Sequence, residues 1–205
     1  MRHHEATGHR RRVTGAVLLL IGAVTAACQG SGAAQTDVPD TYGIGSAASA
    51  ADIAAMNIDV GPGGEGLPPG RGDAAQGAQL YAAKCASCHG INGEGAPGPP
   101  PGPRLVGREP REGFGFGNDR KLVRTIGNYW PEATTLFDYI RRTMPLQEAG
   151  SLSDDQVYSL TAYLLVANEI LPAGATLDSA SLMAVRMPAK DRFVPDNRRG
   201  GREVK

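Results

Sequence analysis

Two cysteines and a histidine stand within five positions, Cys85-Ala86-Ser87-Cys88-His89. A C-x-x-C-H of this spacing is the attachment signature of a c-type haem. Two thiols three residues apart on one helical turn can reach both vinyl groups of a porphyrin. The next residue then points its imidazole under the ring, toward iron. Other uses of such a pair ask for different surroundings. A structural disulfide across so short a separation is strained and redox-active. A thioredoxin-type pair sits in a βαβ context, and no alternating strand pattern surrounds this one. A zinc site takes four ligands, commonly from two such pairs, and beyond its N-terminal leader, residues 1–27, the chain has one such pair and one histidine.

The second axial ligand is sought by elimination. His3, His4 and His9 lie within a secretory leader, so its removal leaves His89 as the only histidine and excludes a bis-histidine iron. The methionines that remain are Met56, Met144, Met183 and Met187. Met144 follows Arg141-Arg142-Thr143 and precedes Pro145, which lacks an N–H, fixes φ and holds the methionine in a loop. Met187 also precedes a proline but lies in a polar tail, and Met56 lies in a linker-like composition. Met144 is therefore the favoured ligand, with Met187 as its rival and core filling as the ordinary alternative. A thioether ligand favours ferrous iron and raises the potential.

The elements that must position these residues read as helices. Asp73 is an N-cap candidate for a helix reaching about residue 84, and Leu80 and Tyr81 share a face with Gly77. A glycine there lets a second helix approach closely. Ser153 and Gln156 form a capping box, and Val157, Leu160, Thr161 and Leu164 follow as one stripe until Pro172 stops the segment. A third helix over 135–142 brings Leu136, Tyr139 and Ile140 inward. No period-2 strand is apparent, so the fold class is all-α. Residues 90–117 read as one loop, and a loop that long needs a function, such as covering a face of a buried haem.

Composition agrees once it is localised. Gly and Pro make up 43 of the 205 residues, and 25 of them fall within 61–118. Eleven aromatics make a thin core for side chains alone. The formal charge is zero, which sets aside nucleic-acid binding. Arg10-Arg11-Arg12 followed by the uncharged run 13–27 reads as a signal peptide, residues 1–27. The small residues before Cys28 resemble a lipobox, although Thr25 departs from it. A lipid anchor at Cys28 is one reading, and ordinary cleavage nearby that leaves a free thiol is the other. Without the leader the chain carries 17 basic and 20 acidic residues.

The order of N-terminal helix, Cys85–His89, Gly102-Pro103-Arg104-Leu105-Val106-Gly107, Met144-Pro145 and C-terminal helix resembles a class I cytochrome c. The resemblance implies a fold wrapped round one covalent haem, with an extended N-terminal linker and a C-terminal tail. It implies that the Pro103 carbonyl accepts the Nδ1 proton of His89, and that Gly77, Tyr81 and Tyr163 pack a helix crossing. Tyr129 and Trp130 match positions that meet a haem propionate, core packing being the alternative.

A narrower likeness runs over residues 42–194. It rests on Tyr42-Gly43-Ile44-Gly45, Leu67-Pro68-Pro69-Gly70, Gly127-Asn128-Tyr129-Trp130-Pro131, the 133–142 segment and Met187-Pro188. These are similar to the cytochrome subunit of the Sox sulfane/sulfite dehydrogenase, which pairs with a molybdopterin protein. Some of those subunits carry a second haem domain, whereas this chain has one attachment motif. The implied organisation is a linker and partner-contact segment 28–70, a cytochrome domain 71–172 and a tail 173–205, with linker and tail against the partner or wrapped on their own domain. The function expected is a periplasmic single-electron carrier with no catalytic residue of its own. It would accept electrons from the molybdoprotein and pass them to a downstream cytochrome or oxidase. The rivals are a stand-alone membrane-anchored shuttle and a haem peroxidase. Phe114 and Phe116 could cap the haem edge or form a surface patch, and Arg141 and Arg142 could steer an acidic partner.

Overall fold

The computed structural model describes residues 43–98 and 101–194. The leader, Cys28 and residues 195–205 lie outside that range. The described residues from 49 onward form one compact unit that contains the Cys85–His89 motif, and a separate unit ends at Ala48. The helices of the compact unit are α1 Ala50–Met56, α2 Ala74–Lys84, α3 Ala86–His89, α4 Ala133–Thr143, α5 Asp154–Ala167 and α6 Ser179–Met183. The fold is mostly helical, as expected, with one addition. Two three-residue strands, β1 Arg71–Asp73 and β2 Thr176–Asp178, pair antiparallel with Gly72 opposite Leu177. Strands this short cannot show a period-2 pattern, which is why none is visible in the sequence. A side chain at Gly72 would run into the backbone of Ser159 on α5, so only glycine lets the ribbon lie there.

The helix starts follow their caps. The Asp73 carboxylate accepts from the amides of Ala75 and Gln76, both at 2.9 Å. The Ser153 hydroxyl accepts from Gln156 N–H while the Gln156 side chain accepts from Ser153 N–H, the expected capping box. Helix α5 ends at Ala167, before Pro172, because Asn168 takes over. Its Nδ2 donates to the Leu164 carbonyl at 2.8 Å, and its Oδ1 accepts from Gly107 N–H at 3.0 Å. One buried amide thus closes the helix and pins the long loop to it.

Helices α2 and α5 cross at Gly77. A Cβ there would fall on the carbonyl oxygen of Ser159 and against the Tyr163 side chain. One turn on, the rings of Tyr81 and Tyr163 meet at 5.0 Å, and the Tyr81 hydroxyl donates to the Gly90 carbonyl at 2.9 Å. Helix α4 packs through Ala133, Leu136, Phe137 and Ile140, a stripe at helical spacing. Tyr139 falls off that buried stripe and is exposed, but it lines a cavity beside Trp130. The stripe includes Phe137, completely buried against Tyr158.

The core extends on both sides of the 71–172 span expected for the cytochrome domain. Val60 belongs to it on one side, and Leu177, Leu182 and Met187 on the other. Residues 57–70 form a strap held by polar contacts. Val60 N–H donates to Asp138 at 2.8 Å, Thr134 Oγ1 to the Pro62 carbonyl at 2.8 Å, and Tyr158 Oη to the Pro68 carbonyl at 2.8 Å. The strap and the tail residues up to Met187 therefore pack on this domain.

The crossing and the strap each carry an expected outcome. Gly77→Ala overpacks a backbone-to-backbone crossing and should cost roughly 1–3 kcal/mol or more, read by denaturant unfolding. Burial would raise the Asp138 carboxyl, but the Arg142 guanidinium and the Val60 amide outweigh it and hold the group below its ordinary value. A depressed carboxylate stabilises the fold above its unfolded value of about 3.9 and loses that contribution as pH falls through the lower folded value. Asp138→Asn should therefore flatten the acid limb of a stability–pH curve.

Candidate haem site

Cys85 follows the last residue of α2, and α3 is a single turn built on it. Cys88 N–H and His89 N–H both donate to the Cys85 carbonyl, at 3.1 and 2.9 Å. The turn gathers the two thiols and the imidazole, and Gly90, at φ +82°, ends it. Neither cysteine is in a disulfide. Burial pushes the Cys85 thiol up to about 11, with Cys88 adding to the effect and Lys84 opposing it. A redox-active pair needs the opposite, a stabilised thiolate.

Nδ1 of His89 lies 2.9 Å from the Pro103 carbonyl oxygen. A carbonyl can only accept, so Nδ1 carries the proton and Nε2 keeps its lone pair for a metal. The loop reaches this position by folding back on α3. Gly95 N–H donates to the His89 carbonyl at 2.7 Å and Ala96 N–H to the Gly102 carbonyl at 3.2 Å. Gly102 passes so close that a Cβ would strike the Cys88 carbonyl.

Met144 caps the C-terminus of α4, its N–H bonded to the Ile140 carbonyl at 3.1 Å. Two adjoining cavities, of about 150 and 510 Å³, both have His89 and Met144 in their walls. The remaining shared wall is apolar apart from the Pro103 backbone, and includes Leu105, Ile140, Leu146 and Leu164. Cys85 and Cys88 line the smaller cavity, while Tyr129, Trp130, Arg104 and Arg124 line the larger. Met187 is 4% exposed inside the protein core and lines neither cavity. Met56 and Met183 are exposed and also stand apart.

The other singled-out residues divide. Trp130 Nε1 donates to Thr135 Oγ1 at 3.0 Å, and its ring meets Tyr139 edge-on at 5.6 Å. Tyr129 has Arg124 4.7 Å above its ring. Phe114 and Phe116 line neither of these two cavities. They cluster on Tyr129 together with Phe193 from the tail. Arg141 and Arg142 are not free to steer a partner. Arg141 binds Asp154 and the Ile58 carbonyl, and Arg142 binds Asp138. Of the apolar wall, Leu136, Ile140, Leu160 and Leu164 are inward-facing helix positions in the sequence pattern, whereas the sequence does not single out Leu105 and Leu146 as wall residues. Among the described residues, no three His, Cys, Asp or Glu side chains converge to hold a metal ion unaided.

A pair of free thiols, a histidine with its outer nitrogen fixed, a facing thioether and an apolar cleft between them define a c-type cytochrome site. The comparisons agree. The cytochrome c family model matches residues 74–167. A chain in the crystal structure of the sulfane dehydrogenase SoxCD from Paracoccus pantotrophus is 38% identical, with TM-score 0.66 over 77% of this chain and 73% of that one. The thiosulfate dehydrogenase of Stutzerimonas stutzeri (strain A1501) is 34% identical over 99 residues, which is 47% of this chain and 28% of that protein's length. This chain belongs to the cytochrome c family, and its relatives include components of sulfur-compound dehydrogenases. Family membership implies haem c, and the donor set and apolar cleft fit it.

Gly102→Ala should displace the Pro103 carbonyl from His89. Its expected result is a lower yield of holoprotein at equal expression, measured by haem staining against total protein.

Proposed function

We propose that this protein is an exported, mono-haem electron carrier that accepts electrons from the molybdopterin subunit of a sulfane- or sulfite-oxidising dehydrogenase. The observation that carries this reading is the reach of the likeness to the SoxCD chain. It covers 77% of the protein, more than the 74–167 span that cytochromes c share in general. A shuttle with only the common domain would give no reason for the likeness to run beyond that span.

In this reading Cys85 and Cys88 hold the haem through thioether bonds, and His89 and Met144 ligate its iron. The bound haem supplies a one-electron couple between ferrous and ferric iron. Everything else is positioning by the chain. The Pro103 carbonyl keeps the His89 ring in one tautomer and orientation. Leu105, Ile140 and Leu164 exclude water from the cleft, and Met144 closes its far side. Tyr129, Trp130 and the two arginines of the larger cavity offer the polar end of the site to the propionates. The role is electron transfer, with no catalytic residue in this chain. The leader and Cys28 support export to the periplasm with a lipid anchor, and a downstream cytochrome or oxidase takes the electron onward.

Two measurements test this. Met144→Ala should lose the thioether-to-iron absorption band of the ferric protein and show a lower midpoint potential. A variant that keeps the band refutes the ligand. The wild-type holoprotein should co-purify with a molybdoprotein subunit expressed beside it. A protein that stays alone and reduces an oxidase unaided is instead a general shuttle.

A further inference from the structure

The segment that carries Met144 is mounted at both ends by charged side chains outside the cleft. Met144 leaves α4 two residues after Arg142, and the chain returns to α5 at Asp154. Arg141 Nε meets Asp154 Oδ1 at 2.8 Å, so one ion pair closes the base of this 12-residue excursion from 142 to 153. The same Arg141 donates from its other end to the Ile58 carbonyl at 2.7 Å. Next to it, Asp138 accepts from Arg142 Nε at 2.8 Å and from Val60 N–H at 2.8 Å. Asp138 is 8% exposed, and Val60 beside it is buried in the core. A buried carboxylate that bonds a guanidinium and a backbone amide from two different segments fixes their relative position more firmly than a surface pair does.

The strap at Ile58–Val60 lies outside the 74–167 span that matches the cytochrome c family. Its backbone nevertheless takes bonds from α4 residues immediately before the ligand. We propose that Asp138 is a positioning residue for the Met144 thioether, acting through Arg142 and the strap backbone at Val60. This rests on the reading of Met144 as the axial ligand. Without the carboxylate, Arg142 and Val60 lose their shared anchor and the last turn of α4 is free to rotate. Met144 then samples positions away from the cleft, while Cys85 and, on α3, Cys88 and His89 keep theirs. The strap is thereby part of the ligand mount and not only a cover.

The test uses full-length holoprotein carrying Asp138→Ala or Asp138→Asn, beside the wild type. The readouts are the thioether-to-iron band, the midpoint potential, and loss of that band against loss of helical circular dichroism in guanidinium. Asp138→Ala should keep covalent haem, lose most of the band and shift to a lower potential. Asp138→Asn, which retains an acceptor for the Val60 amide, should fall between. In both, the band should vanish at lower guanidinium than the helix, with a wider gap than in the wild type. If Asp138→Ala does not mature, Asp138→Asn carries the test. A variant that is merely less stable, with wild-type band and potential and with coincident loss of band and helix, overturns the proposal. A Met144→Ala protein that keeps the band removes the ligand reading itself, and the proposal with it.

Discussion

The crossing of α2 and α5 at Gly77 is the constraint from which the rest is set. Backbone meets backbone there, with no space for a methyl group. The angle and height of α2 are fixed by that approach, and α3 follows α2 with only Cys85 between them. The attachment turn therefore inherits its position from a contact two helical turns away. Tyr81 and Tyr163, in contact just beyond the crossing, extend the same approach toward the cleft. From the other side, α5 carries Leu160 and Leu164 into the cleft wall, so one helix pair presents both the thiols and part of the apolar surface.

A chain with few aromatics can adopt this arrangement because the cofactor completes the core. The cavities between α3, α4 and α5 are lined mostly by apolar side chains, with Lys84, Ser87 and Gln147 at the smaller and Arg104, Arg124 and Thr125 at the larger. An apolar cleft of that size held open by protein alone would forfeit many packing contacts. A porphyrin held there would restore them. It also explains the long loop 90–132, whose backbone is stitched in place by Asn128, Thr125 and Asn168 rather than by regular structure.

Much of this was legible in the sequence, for local reasons. Caps at Asp73 and Ser153, the Gly77 approach and the Cys85–His89 turn depend on neighbours within a few positions, and each appears where expected. The His89 partner came from a resemblance, since nothing in the spacing of 89 and 103 dictates a hydrogen bond. What escaped was non-local. The three-residue strands are too short for a pattern. Tyr139 stays out of the packed core because the buried stripe of α4 runs through 133, 136, 137 and 140, and it lines the larger cavity instead. Arg141 and Arg142 read as charges available to a partner because the groups that hold them, Ile58 and Asp138 with Val60, include a segment some 80 positions away. Phe114 and Phe116 gained their cluster from Phe193, at the other end of the chain.

Electron delivery gives the most direct trial. Oxidised full-length holoprotein is mixed anaerobically with sulfite or a sulfane-sulfur donor, with and without the molybdoprotein subunit, and haem reduction is followed by absorbance. Complete reduction, with one electron taken up per chain and only when the molybdoprotein is present, is the expected result. Reduction by the donor alone at the same rate, or none with both components present, would contradict an electron-accepting subunit built round a single His89/Met144 haem.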